Sequence, residues 1–141
     1  MSGSVFPVRV YYEDTDVSGV VYHANYLRWF ERARTEWLRA LGFGQEQLMQ
    51  QLGVAFTVAG LEIDYRLPAR LDDLLEVRTT VPLVRRASMM FEQSLRRAGD
   101  LRTMAEARVR VACVDSREFR PIALPDAVRH AVEREKQAKN I

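Results

Sequence analysis

Residues 6–43 read FPVRVYYEDTDVSGVVYHANYLRWFERARTEWLRALGF, and the period of their apolar residues changes once along the way. From Phe6 to Glu13, Val8, Val10 and Tyr12 alternate with Arg9, Tyr11 and Glu13, the period-two pattern of a half-buried strand. Asp14 to Tyr22 breaks that pattern with Asp, Thr, Ser and Gly, a loop composition. From His23 to Leu41 the period becomes helical. Tyr26, Phe30, Ala33, Trp37 and Leu41 fall on one stripe, with Leu27 and Leu38 beside it, and Gly42 stands where a left-handed stop is expected. The chain thus opens with a strand, a polar loop and a long helix.

Gln45 to Leu52 has room for a short second helix, and Val54 to Val114 reads as β throughout. Phe56 and Val58 share one parity, whereas Leu61, Ile63 and Tyr65 carry the opposite one, so a bulge is expected at Ala59-Gly60. Leu75, Val77, Thr79, Val81 and Leu83 alternate with charged or polar neighbours. Met89, Phe91, Gln93 and Leu95 do the same, as do Ala105, Ala107, Val109, Val111 and Cys113. Turns fall at Pro68–Asp73 and Ala98–Asp100, and a last helix is expected from Asp126 to Lys136, after Pro125. Strands that follow a helix and are joined by short turns predict an α+β fold with about five antiparallel strands curved around the long helix. The open edges of so small a sheet favour pairing with a second chain.

With 141 residues the chain reads as one domain, residues 1–141, with 126–141 as a helix and charged tail. Basic residues number 21 and acidic 19, too even a balance for a nucleic-acid-binding surface, and only Lys136 and Lys139 among the basic residues are not Arg. Cys113 alone cannot form an internal disulfide, and with His23 and His130 it makes a thiolate or imidazole metal cluster an unlikely expectation. No apolar run approaches the roughly 20 residues of a membrane span. The first residues lack a secretory pattern, so a cytoplasmic location is expected.

The densest polar cluster, Glu13-Asp14-Thr15-Asp16-Val17-Ser18-Gly19, lies between the opening strand and the helix. The helix start shows no obvious Ser, Thr or Asp cap, although Asn25 is available for that role. Uncapped first-turn N–H groups are open to a ligand oxygen and favour developing negative charge. A carboxylate beside such a terminus suits acyl transfer, as base toward water or as nucleophile. A thioester is the easiest acyl substrate for so sparse a site, because its thiol, with a pKa near the ~8.5 of Cys, leaves as thiolate. Two other readings fit the same loop. In one, Asp14 and Thr15 cap a turn and Asp16 is solvated. In the other, Asp14, Asp16, Ser18 and Gly19 begin a calcium loop, but that loop would end at Asn25 instead of a bidentate Glu.

Val8 to Phe43 closely resembles the bacterial Tol–Pal-associated acyl-CoA thioesterases of the 4-hydroxybenzoyl-CoA thioesterase-like group. The similarity continues through Val58 to Glu76, including Tyr65 and Pro68-Ala69-Arg70-Leu71-Asp72-Asp73, and returns in Ala105 to Asp115 and Pro121 to Pro125. The resemblance implies a hotdog fold, with a five-stranded antiparallel sheet wrapped around one long central helix. It also implies homodimers or homotetramers with the active site at the subunit interface. Asp16 would be the catalytic carboxylate, assisted by His23. Tyr22, Ala24 and Gly19 would surround the oxyanion and substrate. No metal or cofactor is implied beyond the CoA of the substrate. Arg85 and Arg86, between two strands, are candidates for the CoA phosphates. An alternative function is an acyl-carrier or envelope-partner binding protein, with acyl carrier protein as a candidate partner and weak hydrolysis. A dehydratase pairing His23 with Glu36 is a third reading. Val17-Ser18 departs from the small residues expected beside the catalytic carboxylate.

Overall fold

The structure is a computed structural model and describes residues 4–139, with side chains through residue 136. Its five strands are β1 (Ser4–Arg9), β2 (Val54–Tyr65), β3 (Leu74–Val84), β4 (Ser88–Arg97) and β5 (Ala105–Asp115). They form one antiparallel sheet in the order β1-β3-β4-β5-β2. Three helices accompany it: α1 (His23–Ala40), α2 (Gln45–Leu52) and α3 (Asp126–Lys139).

The strand alternation read from the sequence is the burial pattern of the sheet. Leu75, Val77, Thr79 and Val81 of β3 are buried, as are Met89, Phe91, Gln93 and Leu95 of β4 and all five expected positions of β5. Against this face α1 lays Tyr26, Phe30, Ala33 and Trp37, each nearly closed to solvent, and the ring of Trp37 meets that of Phe91 edge-on at 5.5 Å. Gly42 takes the positive φ expected of a helix stop, +103°. Val128 and Val132 bury α3 against the same core, so the expected last helix is present and packed.

Three local expectations change. The opening strand ends at Arg9 and does not reach Glu13, because the Asp14 carboxylate accepts the Tyr11 N–H at 2.8 Å and winds Tyr12–Asp14 into a 3-10 turn that leaves Tyr12 exposed. Leu83 is exposed, because the β3–β4 register shifts between Thr80 and Leu83. Trp29 and Arg34 join the buried side of α1 although neither was on its predicted stripe. The bulge in β2 lies where the parity flips, between Val58 and Gly60. Arg110 there reaches across to the Ala59 carbonyl at 3.2 Å, over the space a side chain on Gly60 would fill.

Candidate active site

The loop after β1 is pinned at both ends. Val10 donates to the Asp73 carbonyl at 2.9 Å and Val21 to the Ala69 carbonyl at 2.9 Å, which fixes the loop to the turn before β3. That turn is held in its place by Asp73, whose Oδ2 accepts the Arg70 N–H at 2.9 Å and Arg97 Nε at 3.0 Å. The Tyr26 hydroxyl accepts the Ala69 N–H at 3.0 Å and so locks the same turn to α1.

Within this frame Asp14 is fully engaged. Oδ1 accepts Asn25 Nδ2 at 2.9 Å and Oδ2 accepts the Tyr11 N–H. Asn25 therefore spends its amide on Asp14 and does not cap α1. No grouping of three or more acidic, His or Cys side chains suited to a metal occurs among the described residues. Asp16 is different. Its Oδ1 accepts the Ser18 N–H at 2.9 Å and the Ser18 hydroxyl, and its side chain faces solvent. The Ser18 hydroxyl, then the Ser18 N–H and more weakly His23 hold its pKa below the ordinary carboxylate value. The loop closes with Gly19, at φ +82°, donating to the Asp16 carbonyl at 3.0 Å.

No side chain caps α1, and no carboxylate occupies its first turn. Tyr22 donates its N–H to the Asp14 carbonyl at 2.9 Å, and the Gly19 N–H is also spent, so neither is an oxyanion donor. His23 and Ala24, the first two helical residues, have N–H groups with no acceptor inside the helix. Tyr65 is the functional neighbour that sequence patterning missed. Its hydroxyl donates to the His23 carbonyl at 2.9 Å, and its ring stands edge-on to those of Tyr26 and His23. In the sequence it was marked by its parity in β2 and by the family resemblance around it, neither of which gave it a place beside His23.

From Tyr65 an apolar strip runs down the helix-facing side of β2. Val58, Leu61 and Tyr65 remain 48%, 40% and 43% exposed, whereas Phe56 and Ile63 are partly buried against the core. The strip ends at a hollow of about 130 Å³ lined by Arg34, Thr35, Phe56, Val58 and Phe91. A separate hollow of about 420 Å³, between β1 and α1, is lined by Asp14, Asn25 and Arg28 and reached by neither Asp16 nor His23.

Arg85 and Arg86 are exposed in the β3–β4 turn, where their carbonyls accept Arg129 Nη2 at 3.0 and 2.9 Å. The Asp16 loop adjoins the other end of β3, and 11 residues of strand separate the two. At ~3.3 Å per residue the separation is roughly 35 Å, so one chain does not bring these arginines to Asp16. Glu36 is equally remote from His23: 13 positions along α1 correspond to about 20 Å, and Glu36 is paired with Arg39. One chain therefore cannot assemble the dehydratase pair.

An exposed carboxylate beside an uncapped helix start is what the comparisons with known proteins must account for. Residues 10–132 match the model of the thioesterase-like superfamily. The chain belongs to that superfamily. It is 52% identical to the acyl-CoA thioesterase YbgC of Haemophilus influenzae over 130 residues, 92% of this chain and 94% of that one. The acyl-CoA thioester hydrolase YbgC of Escherichia coli is 48% identical over 123 residues, 87% of this chain and 90% of its own. Among solved structures, a probable thioesterase from Bartonella henselae superposes with a TM-score of 0.81 at 37% identity, covering 86% of this chain and 98% of that one. The antiparallel sheet and helices of this thioesterase-like chain are therefore shared with proteins whose names record thioester hydrolysis.

Proposed function

We propose that this chain hydrolyses acyl-CoA thioesters to the free acid and CoA, with Asp16 as the reacting carboxylate. The observation that carries the proposal is an ionised Asp16 held by Ser18 beside the uncapped start of α1, in a chain so similar to named acyl-CoA thioesterases. The acyl carbonyl oxygen takes the N–H groups of His23 and Ala24, where the helix dipole favours its developing charge. Asp16 Oδ2, the oxygen not bonded to Ser18, either attacks the carbonyl carbon or removes a proton from water that does. The C–S bond then breaks and CoA leaves as thiolate, which is protonated by solvent; on the first route water then hydrolyses the acyl–Asp16 anhydride to the free acid and the Asp16 carboxylate, and on the second the free acid forms directly. The His23 ring stands near enough to act on Asp16 electrostatically and to orient water. The route uses a carboxylate, backbone N–H groups and water, in a cytoplasmic setting.

The site is completed by a second copy paired along β2. The enclosed helix of a hotdog fold is the reading of α1 that its packing supports. The two sheet edges differ: β1 has 6 residues and carries Pro7, whereas β2 has 12 residues, no Pro and the uncovered apolar strip. Proline blunts an edge, and a long apolar edge invites pairing. β2 starts at the Arg85 end of the sheet and finishes at the Asp16 end. A two-fold axis that pairs β2 antiparallel with its copy therefore brings Arg85 and Arg86 of the partner subunit to the end that holds Asp16. There they suit the CoA phosphates. Dimer or tetramer both satisfy this pairing.

Asp16→Asn is expected to lower kcat/KM by about 10²-fold or more, with an unchanged circular dichroism spectrum. Wild-type-like hydrolysis by that variant would overturn the proposal. A second reading, in which the chain mainly binds an acyl carrier protein or a Tol–Pal envelope partner, draws on the full exposure of Tyr12 and Val17 around the loop. Capture of acyl carrier protein without release of thiol from any acyl-CoA would favour it.

A further inference from the structure

Arg34 is a cation in the wrong place for a helix surface. It is 8% exposed, and it points from α1 into the interior, where Nη1 donates to Gln93 Oε1 at 3.0 Å. Gln93 in turn donates to the Phe30 carbonyl at 2.9 Å and to Thr79 Oγ1 at 3.1 Å, with Gln93 3% and Thr79 1% exposed. Every partner in this network is neutral, and no ion pair reaches Arg34 among the described residues. A guanidinium has five N–H donors, and a buried one without a counter-charge is costly. Burial accordingly pulls its pKa down, and Glu31, which lines the same hollow, opposes that shift. Glu31 is exposed and accepts the Thr35 hydroxyl at 2.9 Å, so its charge is screened and partly committed.

The hollow of about 130 Å³ that Arg34 lines is where the apolar strip of β2 ends. Arg34 follows His23 by 11 positions, a rise of about 16 Å along α1. Leu27 and Glu31 lie between them on the same helix face at the spacing of successive turns. A chain that starts at the reacting carbonyl and lies in this cleft passes Tyr65, Leu61 and Val58 and ends at the Arg34 cation, with Glu31, Thr35 and Gln45 on the same hollow.

We propose that Arg34 is a specificity residue that binds a carboxylate at the far end of the acyl chain, so that the preferred substrates are CoA thioesters of dicarboxylic acids. The proposal rests on the thioesterase reading of the Asp16 loop. A carboxylate supplies the counter-charge the Gln93 amide does not, through charge-assisted hydrogen bonds in a site shielded from water. A methyl end leaves the guanidinium as it was and gains only apolar contact.

The test compares two hydrolysis-inert CoA thioethers whose chains span that distance, one ending in carboxylate and one in methyl, by calorimetry. The wild-type protein is expected to bind the carboxylate form about ten-fold tighter or more. Arg34→Met, which keeps volume without charge, is expected to abolish or reverse that preference, and Arg34→Lys to retain part of it. Equal binding of the two thioethers by the wild type, binding of neither, or an unchanged preference in Arg34→Met would overturn the proposal and leave Arg34 as an anchor of α1 to the sheet. If Arg34→Met does not fold, the wild-type comparison and Arg34→Lys still decide. Release of thiol from acetyl-CoA, measured on the wild type, reports separately on the thioesterase reading, because binding of thioethers needs no turnover.

Discussion

Ser18 shapes the chemistry of Asp16 more than any other side chain. Its hydroxyl contributes the largest share of the lowered Asp16 pKa and its N–H the next. Both bonds favour the charged carboxylate, so Asp16 stays ionised below the usual titration range of an aspartate. The acid limb of kcat/KM should then lie below that range, with activity lost as pH falls through the lowered value. The same sign holds for stability: a group with a depressed folded-state pKa stabilises the fold above its unfolded pKa and stops doing so as pH falls through the folded one. For a carboxylate as exposed as Asp16 that contribution is small. Ser18→Ala removes the leading interaction and is expected to move the acid limb of kcat/KM to higher pH. A limb that stays in place would assign it to another group.

At the scale of elements, the helix and the sheet are joined through aromatic contacts at their centre. Phe91 of β4 is 1% exposed and meets Trp37 edge-on, with ring planes 80° apart. Phe91→Ala deletes that contact and leaves a cavity the surrounding β-strands cannot close. It is expected to cost about 3–5 kcal/mol, read from the urea midpoint at an unchanged m-value. A loss below about 1 kcal/mol would mean the site collapses around the smaller side chain. Elements like these were legible because one face of each strand is buried, which forces alternation on β3, β4 and β5. The end of β1 was not legible, since it depends on Asp14 capturing the Tyr11 N–H, a competition that periodicity does not register. Leu83 failed for a related reason: its parity is right for an unbroken strand, and the register shift after Thr80 breaks it. Arg34 and Asn25 were hidden because a hydrophobic pattern assigns polar residues to solvent, whereas both are buried by the hydrogen bonds they make. The Asp16 loop stood out as a motif, but its surroundings did not, because the turn before β3 and the Tyr65 hydroxyl that frame it lie more than 40 residues away along the chain.

At the scale of the whole molecule, the sheet places Asp16 and the Arg85-Arg86 turn at opposite ends of one chain, and the proposed antiparallel pairing of β2 with its copy would bring them back together. That geometry has a consequence that mutant mixtures can read. An Asp16→Asn chain and an Arg85→Ala/Arg86→Ala chain are each impaired at both sites of their homodimers. In a mixed dimer the two defects fall on one shared site, and the other site combines an intact Asp16 with intact arginines from the partner. Random exchange between equal amounts makes half the dimers mixed, each with one intact site, so about a quarter of all sites recover. The kcat/KM of the co-refolded mixture, measured at low substrate where loss of CoA binding is most visible, is expected to approach about a quarter of the wild-type value. If Asp16 and the arginines acted within one chain, no mixed dimer would hold an intact site, and the mixture would only average its two parents. Averaging would therefore remove Arg85 and Arg86 from the shared site, while recovery would require both the β2 pairing and the contribution of the second copy.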